Sequence, residues 1–182
     1  MNPIDYKLLE QAFLVRNNAQ APYSQFHVGV AVKSHQGNIY KGCNVERCTY
    51  TQTTHAEQNA IDTMISHEGP AKIMAVAVIA APASQTLEFT DFADAEVVVG
   101  QAHGVGPCGH CRQIIWENSF NDPDVVIYLA NATDKKIYVT TIGALLPSPF
   151  GPHDLGIRYG DANTMLSREL SKETMLVKSN TQ

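Results

Sequence analysis

Two separated groups of residues carry the chemistry of this chain: His55-Ala56-Glu57 and, much later, Pro107-Cys108-Gly109-His110-Cys111. Thiolate and imidazole are ligands that zinc prefers. A structural zinc is closed by four protein ligands, whereas a catalytic one keeps a position open for water. Cys108 and Cys111 are three apart, so at the start of a helix both sulfurs face one point. His55 supplies a third ligand, and no second Cys-x-x-Cys or His-x-x-x-His obviously supplies a fourth. One zinc per chain is therefore expected, in a set that activates water near neutral pH. Glu57 lies two residues past His55, where a carboxylate can carry protons between water, a ring nitrogen and a leaving amine. The combined pattern H-x-E…P-C-x-x-C reads as hydrolytic removal of an amine from a nucleobase. Cys-x-x-Cys alone reads as half of a structural zinc knuckle or as a redox pair. The carboxylate beside His55 is what a purely structural site does not need.

These residues need helix starts to bring them together. Pro3, Ile4, Leu8, Leu9, Ala12 and Val15 predict an amphipathic helix from near Asp5. Phe26, Val28, Val30 and Val32 alternate as a strand, and His35 to Asn38 turns it into a second strand over Ile39 to Cys43. Thr53 or Thr54 is the expected cap of a helix from about His55 to His67, stopped by Gly69-Pro70. Ile73 to Ala81 is a near-continuous apolar run, the mark of a central strand. Val97 to Val99 is a possible strand, and Pro107 starts a helix to about Asn118. Val125–Ala130 and Lys136–Thr140 give two further strands, and Leu145-Leu146-Pro147 ends a short helix. A weaker helical pattern runs from Met165 to Leu176. The order predicts a three-layer α/β/α fold on one mixed, five-stranded sheet. Both ligand groups then sit at helix N-termini, whose partial positive charge offsets the thiolates. Arg112 adds a nearby cation.

The chain has 182 residues, enough for one domain with a sizeable core. Its net charge is −5 with no basic run, which argues against a phosphate-backbone footprint and so against nucleic acid as substrate. The N-terminus lacks a charged-then-apolar signal pattern, and no apolar run spans a bilayer. A reduced, cytoplasmic setting is the expectation. Cys43 and Cys48 lie outside the metal pattern, as buried thiols, extra ligands or a redox pair.

From Ala21 to Leu155 the chain resembles the cytidine deaminases. The resemblance rests on Tyr23-Ser24-Gln25-Phe26-His27-Val28-Gly29, on Gly42-Cys43-Asn44-Val45-Glu46, and on Tyr50. It continues through His55-Ala56-Glu57, Pro107-Cys108-Gly109-His110-Cys111-Arg112-Gln113, and Leu145 to Pro152. It implies that His55, Cys108 and Cys111 hold zinc and that Glu57 shuttles protons. It further implies that Asn44 and Glu46 hydrogen-bond the ribose 3′-hydroxyl, that Phe26 packs near the pyrimidine, and that the Ala56 backbone bonds the base. Phe150 would reach the site of a neighbouring subunit, in a homodimer or homotetramer. Pattern alone also fits Phe26 as core, Phe150 as a surface anchor and Asn44 as a turn residue. The implied reaction is zinc-dependent deamination of cytidine and deoxycytidine to uridine and deoxyuridine, a step of pyrimidine salvage.

The departures carry information. Many small homotetrameric members have cysteine where this chain has His55, and arginine where it has Gln58; three thiolates benefit from that cation and a neutral imidazole does not. The His-Ala-Glu-Gln form resembles larger dimeric bacterial members that carry a second, degenerate copy of the domain. Arg47-Cys48 replaces the usual Asn-Ala, and Gly106 the usual Ser or Thr. The gap between His55 and Cys108 is long, through an insertion at about 82–106 that is a lid, an interface or a neutral excursion. Residues 1–182 are expected to form one catalytic domain, with a C-terminal extension after about 156. Competing readings are a deaminase of a modified nucleoside or nucleoside antibiotic, a nucleic-acid editor, and a non-catalytic zinc-stabilised domain.

Overall fold

The computed structural model describes residues 4–85, 92, 94–100, 104–131 and 135–156. Helix α1 (Tyr6–Arg16) is capped by Asp5, whose side chain accepts the Leu8 N–H at 3.0 Å. Strands β1 (Phe26–Ser34) and β2 (Ile39–Cys43) form the expected antiparallel hairpin. Its turn places Gly37 at φ +86°, a left-handed conformation that glycine adopts without a Cβ penalty. Helix α2 (Ala56–Glu68) stops at Gly69, also left-handed at φ 73°. Then come β3 (Ile73–Pro82), β4 (Glu96–Val99), α3 (Gly109–Asn118), β5 (Val126–Asn131), β6 (Lys136–Thr141) and the single turn α4 (Ile142–Leu145).

The strands make one mixed sheet in the order β2-β1-β3-β5-β6-β4. β3 is antiparallel to β1 and parallel to β5; β6 is antiparallel to β5 and parallel to β4. The sheet thus has six strands, one more than the sequence expectation. The extra strand comes from within the stretch 82–106, expected from the sequence to be an insertion: Glu96 to Val99 pair in register with Lys136 to Val139 and cover the outer edge of β6.

β3 is central, and both its faces are covered. Val76 and Val78 join Val30, Val32, Ile127 and Leu129 in a core shared with Ala56, Ala60, Ile61 and Met64 of α2 and Ile115 and Trp116 of α3. On the other face Ala75, Ala77 and Ile79 join Ala31, Tyr128 and Ala130 beneath Leu8, Leu9 and Ala12 of α1. The period-2 split of one apolar run between two cores makes the three layers. Close approach is required at two glycines. A Cβ on Gly29 would strike the Ala12 carbonyl and the Arg16 amide of α1, and one on Gly42 the Ala56 carbonyl and the Ala60 amide of α2.

Arg16 closes the α1 side. It is buried, and its guanidinium donates to the carbonyls of His27 (3.2 Å), Ala81 (3.0 Å) and Pro82 (2.8 Å). Burial lowers its pKa from the ordinary value. The three carbonyls answer its donors and tie β1 to β3 where the hairpin enters the sheet. At the other end of α2, Glu68 Oε1 accepts from Ser34 Oγ (2.8 Å), Asn38 Nδ2 (2.8 Å) and Tyr40 Oη (2.9 Å), fixing that helix to the β1–β2 hairpin.

Residues 1–149 and 150–182 cluster as two compact units. In the second, Pro152–Leu155 is a turn of 3₁₀ helix, and the Gly151 N–H donates to Asp154 Oδ2 at 2.8 Å. The helical pattern of Met165 to Leu176 and much of the insertion lie outside the described residues.

Candidate active site

The two chemical motifs meet at two helix starts. His55 is the N-cap of α2 and Cys108 the N-cap of α3, with Cys111 in the first turn of α3. Neither Thr53 nor Thr54 caps α2 as expected, and α3 begins at Gly109, two residues beyond Pro107. Neither N-cap side chain accepts a capping hydrogen bond from the first-turn N–H groups of its helix. Both are turned instead toward one another. His55 Nδ1 lies 3.4 Å from Cys108 Sγ and 3.3 Å from Cys111 Sγ, and the two sulfurs are 3.6 Å apart. A tetrahedral zinc with bonds of about 2.0–2.3 Å holds its ligands roughly 3.3–3.8 Å from one another. The three atoms therefore fit three corners of a zinc tetrahedron, and they are the one such set among the described residues. Among the described residues, none supplies a ligand for the fourth corner. Burial pushes the Cys111 thiol well above its ordinary pKa, and the neighbouring Glu57 carboxylate and Cys108 push it further. A thiol in that position ionises when a cation joins it, which is the condition for holding a metal.

Beside this set is a cleft of about 230 Å³, lined by Val28, Asn44, Thr53, His55, Ala56, Glu57, Val78, Val105, Gly106 and Cys108. Glu57 is 6% exposed and lies on the cleft wall. Ala56 is buried at the first position of α2, where a backbone N–H has no intrahelical acceptor. The starts of α2 and α3 both turn partial positive charge toward the site. One carboxylate, one metal set and two helix N-termini thus border a space large enough for a single flat ring.

The sugar-side residues are placed differently from one another. Asn44 lines the cleft, and its amide is committed at both ends: Oδ1 accepts the Val28 N–H and Nδ2 donates to the Phe26 carbonyl, each at 2.9 Å. Glu46 lies outside the cleft lining. Its Oε2 accepts the N–H groups of Tyr23 (2.9 Å) and Ser24 (3.2 Å). Hydrogen bonding from Ser24 and Tyr23 outweighs burial and holds the Glu46 carboxyl below its ordinary pKa. Backbone bonds from Glu46 to Gln20 and between Val45 and Thr54 pin the whole segment. Phe26 begins β1 half-buried, also outside the cleft lining. Phe150 belongs to the second unit and is exposed. Cys43 is buried and Cys48 exposed, and neither joins the metal set.

Arg112 is held by backbone rather than left as a free cation. It donates to the carbonyls of Pro107 (2.8 Å) and Leu145 (2.9 Å), fastening the cysteine turn to the end of α4. Sequence reading missed Val28, Thr53, Val78 and Val105 as cleft wall. Thr53 sits two residues before His55, and Val28 and Val78 alternate toward α2, so period and proximity were their only signals.

A metal-ready turn with a buried carboxylate beside it on the wall of a base-sized cleft is the arrangement of zinc hydrolases that act on amine-bearing rings. Residues 3–129 match the family described as the cytidine and deoxycytidylate deaminase zinc-binding region. The chain belongs to the cytidine deaminase family. It is 36% identical over 149 residues to the cytidine deaminase of Sporosarcina psychrophila, covering 82% of this chain and 93% of that one. It is 33% identical over 162 residues to that of Pasteurella multocida, where it spans 44% of the longer protein. Among solved structures, cytidine deaminase from Burkholderia pseudomallei superposes with a TM-score of 0.63 at 30% identity, over 81% of this chain and 100% of that one. That from Mycobacterium tuberculosis gives 0.57 at 26% identity, over 82% and 99%.

Proposed function

We propose that this protein is a zinc-dependent cytidine deaminase, converting cytidine and deoxycytidine to uridine and deoxyuridine with release of ammonia. One observation carries the reading: the His55, Cys108 and Cys111 ligand atoms converge beside the buried Glu57 carboxylate in a single cleft. Zinc, when bound, supplies the polarisation that makes water a nucleophile at neutral pH. Glu57 would take one proton from the attacking water and pass it to the ring nitrogen. It would then take the second proton from the hydroxyl added at the ring carbon and give it to the amine, which leaves as ammonia while the carbonyl forms. The Ala56 N–H, unpaired within its helix, orients the base by a hydrogen bond. Val28 and Val78 supply apolar wall against which a ring packs. Asn44 presents the sugar side of the cleft, and Glu46 and Phe26 complete it when the sugar is bound. The cleft is small against the roughly 300–1,000 Å³ of common ligand pockets, which suits one nucleoside.

The finer statements belong to the same proposal. Residues 1–182 act as one catalytic domain within a homodimer or homotetramer, and Phe150 completes the site of a neighbouring subunit. The setting is the cytoplasm and the role pyrimidine salvage. No helix among the described residues is long and apolar enough to cross a membrane. The test is turnover by zinc-replete protein, followed by the ultraviolet change as cytidine and deoxycytidine become uridine and deoxyuridine. No turnover of either nucleoside by metal-loaded protein overturns the reading.

A second reading has one observation behind it. Val105 and Gly106 bring the end of the insertion into the cleft wall, where a substituted base would meet them. A substrate panel showing more than about a hundredfold preference for a modified nucleoside, about 2.7 kcal/mol, would favour it.

A further inference from the structure

We infer that His110 is a positioning residue for the metal site: its ring, packed against His55, holds the imidazole in the orientation in which Nδ1 meets both sulfurs. This rests on the zinc reading above. The two ring centroids are 5.7 Å apart and the planes cross at 67°, an edge-to-face contact. That arrangement is the favoured one for flat rings.

The contact matters because of what else holds His55. Its backbone is extended, at φ −72° and ψ 150°, and its side chain makes no cap bond to α2. Nδ1 is the nitrogen aimed at the sulfurs. A metal-binding histidine is ordinarily oriented by donating its other N–H to a carboxylate or carbonyl. Among the described residues, the hydrogen-bond contacts of His55 are those of Nδ1 with the two cysteines. Among the described residues no protein group is hydrogen-bonded to the second nitrogen, which leaves the ring contact with His110 to restrain rotation about the side-chain bonds. His110 is the ring in that place.

Its position in the chain strengthens the argument. His110 stands between Cys108 and Cys111 in the first turn of α3, so the turn that supplies both sulfurs also supplies the brace. It is not a ligand: the converging donor atoms belong to His55, Cys108 and Cys111. His55 and His110 share the wall of a second cleft of about 550 Å³, with Tyr50, Thr51, Gln52, Thr53, Thr54 and Gln58. The imidazole thus borders open space on that side rather than packed core. A ring facing solvent keeps its orientation only where a neighbour restrains it.

The test reads metal release, not turnover. Zinc-loaded protein is mixed with excess chromogenic chelator and the release rate followed for the parent, His110→Ala, His110→Phe and His67→Ala. His67 packs its ring on Tyr40 at 5.5 Å at the far end of α2 and controls for loss of a ring contact on that helix. His110→Ala releases zinc about tenfold faster, at the lower end of what oriented outer partners contribute. His110→Phe keeps the ring without its nitrogens and stays close to the parent rate, and His67→Ala is unchanged. A parent-like rate for His110→Ala overturns the inference, as does a His110→Phe rate equal to that of His110→Ala. Melting of the zinc-free forms separates fold from site: an unchanged Tm for His110→Ala supports positioning, and a lowered one assigns the effect to folding and overturns it. Absent cytidine turnover would overturn the proposed activity while leaving this result intact.

Discussion

Glu57 is the residue whose replacement separates chemistry from architecture. It lies beside the metal set without belonging to it. Glu57→Gln keeps shape and hydrogen-bonding capacity but cannot carry a proton. Zinc content, measured by elemental analysis, should match the parent, while kcat falls by at least about 10²–10⁴. Retained turnover in that variant would end the proton-shuttle assignment. The metal set and Glu57 were legible in the sequence because their chemistry constrains residue type and spacing together. The two arginines were not. Arg16 and Arg112 both find backbone carbonyls from other elements as partners, and carbonyls have no sequence signature. The family resemblance pointed to Asn44, which lines the cleft, but its clamp on β1 was not legible, for the same reason.

At the scale of elements, the starts of α2 and α3 must be held to within a fraction of an ångström for three ligand atoms to converge. Gly42 sets the height of α2 over β2, with the Ala56 and Ala60 backbone where a Cβ would go. Gly42→Ala should cost about 1–3 kcal/mol by denaturant unfolding. It should also lower kcat/KM, since the displaced segment begins next to His55. The other end of α2 has a pH signature. Burial alone would raise the Glu68 pKa, but donors from Asn38, Ser34 and Tyr40 outweigh it and hold the carboxyl below its ordinary value. A carboxyl lowered on folding contributes stability above the ordinary carboxylate range, and that contribution is lost as pH falls through the folded value. Tyr40→Phe removes one donor and lowers stability near neutrality. It should also shrink the difference in stability between neutral and acid conditions, read from urea midpoints across a pH series. Helices and central strands were legible because 3.6- and 2-residue periods survive in the apolar pattern. The cap of α2 was misread because Thr53 and Thr54 are good caps by propensity, while the site needs His55 at that turn. β4 was only half legible: four residues carry little period, and their partner β6 is distant in sequence.

For the whole molecule, zinc joins two helices that come from opposite sides of β3 in the chain. Metal bound only to the folded form stabilises it, by roughly 4 kcal/mol at a thousandfold excess over Kd. At about 2–4 °C per kcal/mol for a chain of this size, chelation should lower Tm by on the order of 10 °C, and restored zinc should recover it. The assembly has its own test. If Phe150 completes a neighbour's site, Glu57→Gln and Phe150→Ala proteins, each nearly inactive alone, should regain activity when co-assembled. An inert mixture would place Phe150 outside any shared site. Strand β4 has a consequence of another kind. β4 occupies the hydrogen-bonding edge of β6 and starts with Glu96 paired to Lys136 at 3.2 Å. Deleting β4 would bare the edge of β6 over Lys136–Val139, able to recruit strands from other molecules. The penalty of such a deletion would appear first as aggregation during expression and storage, before any change in catalysis.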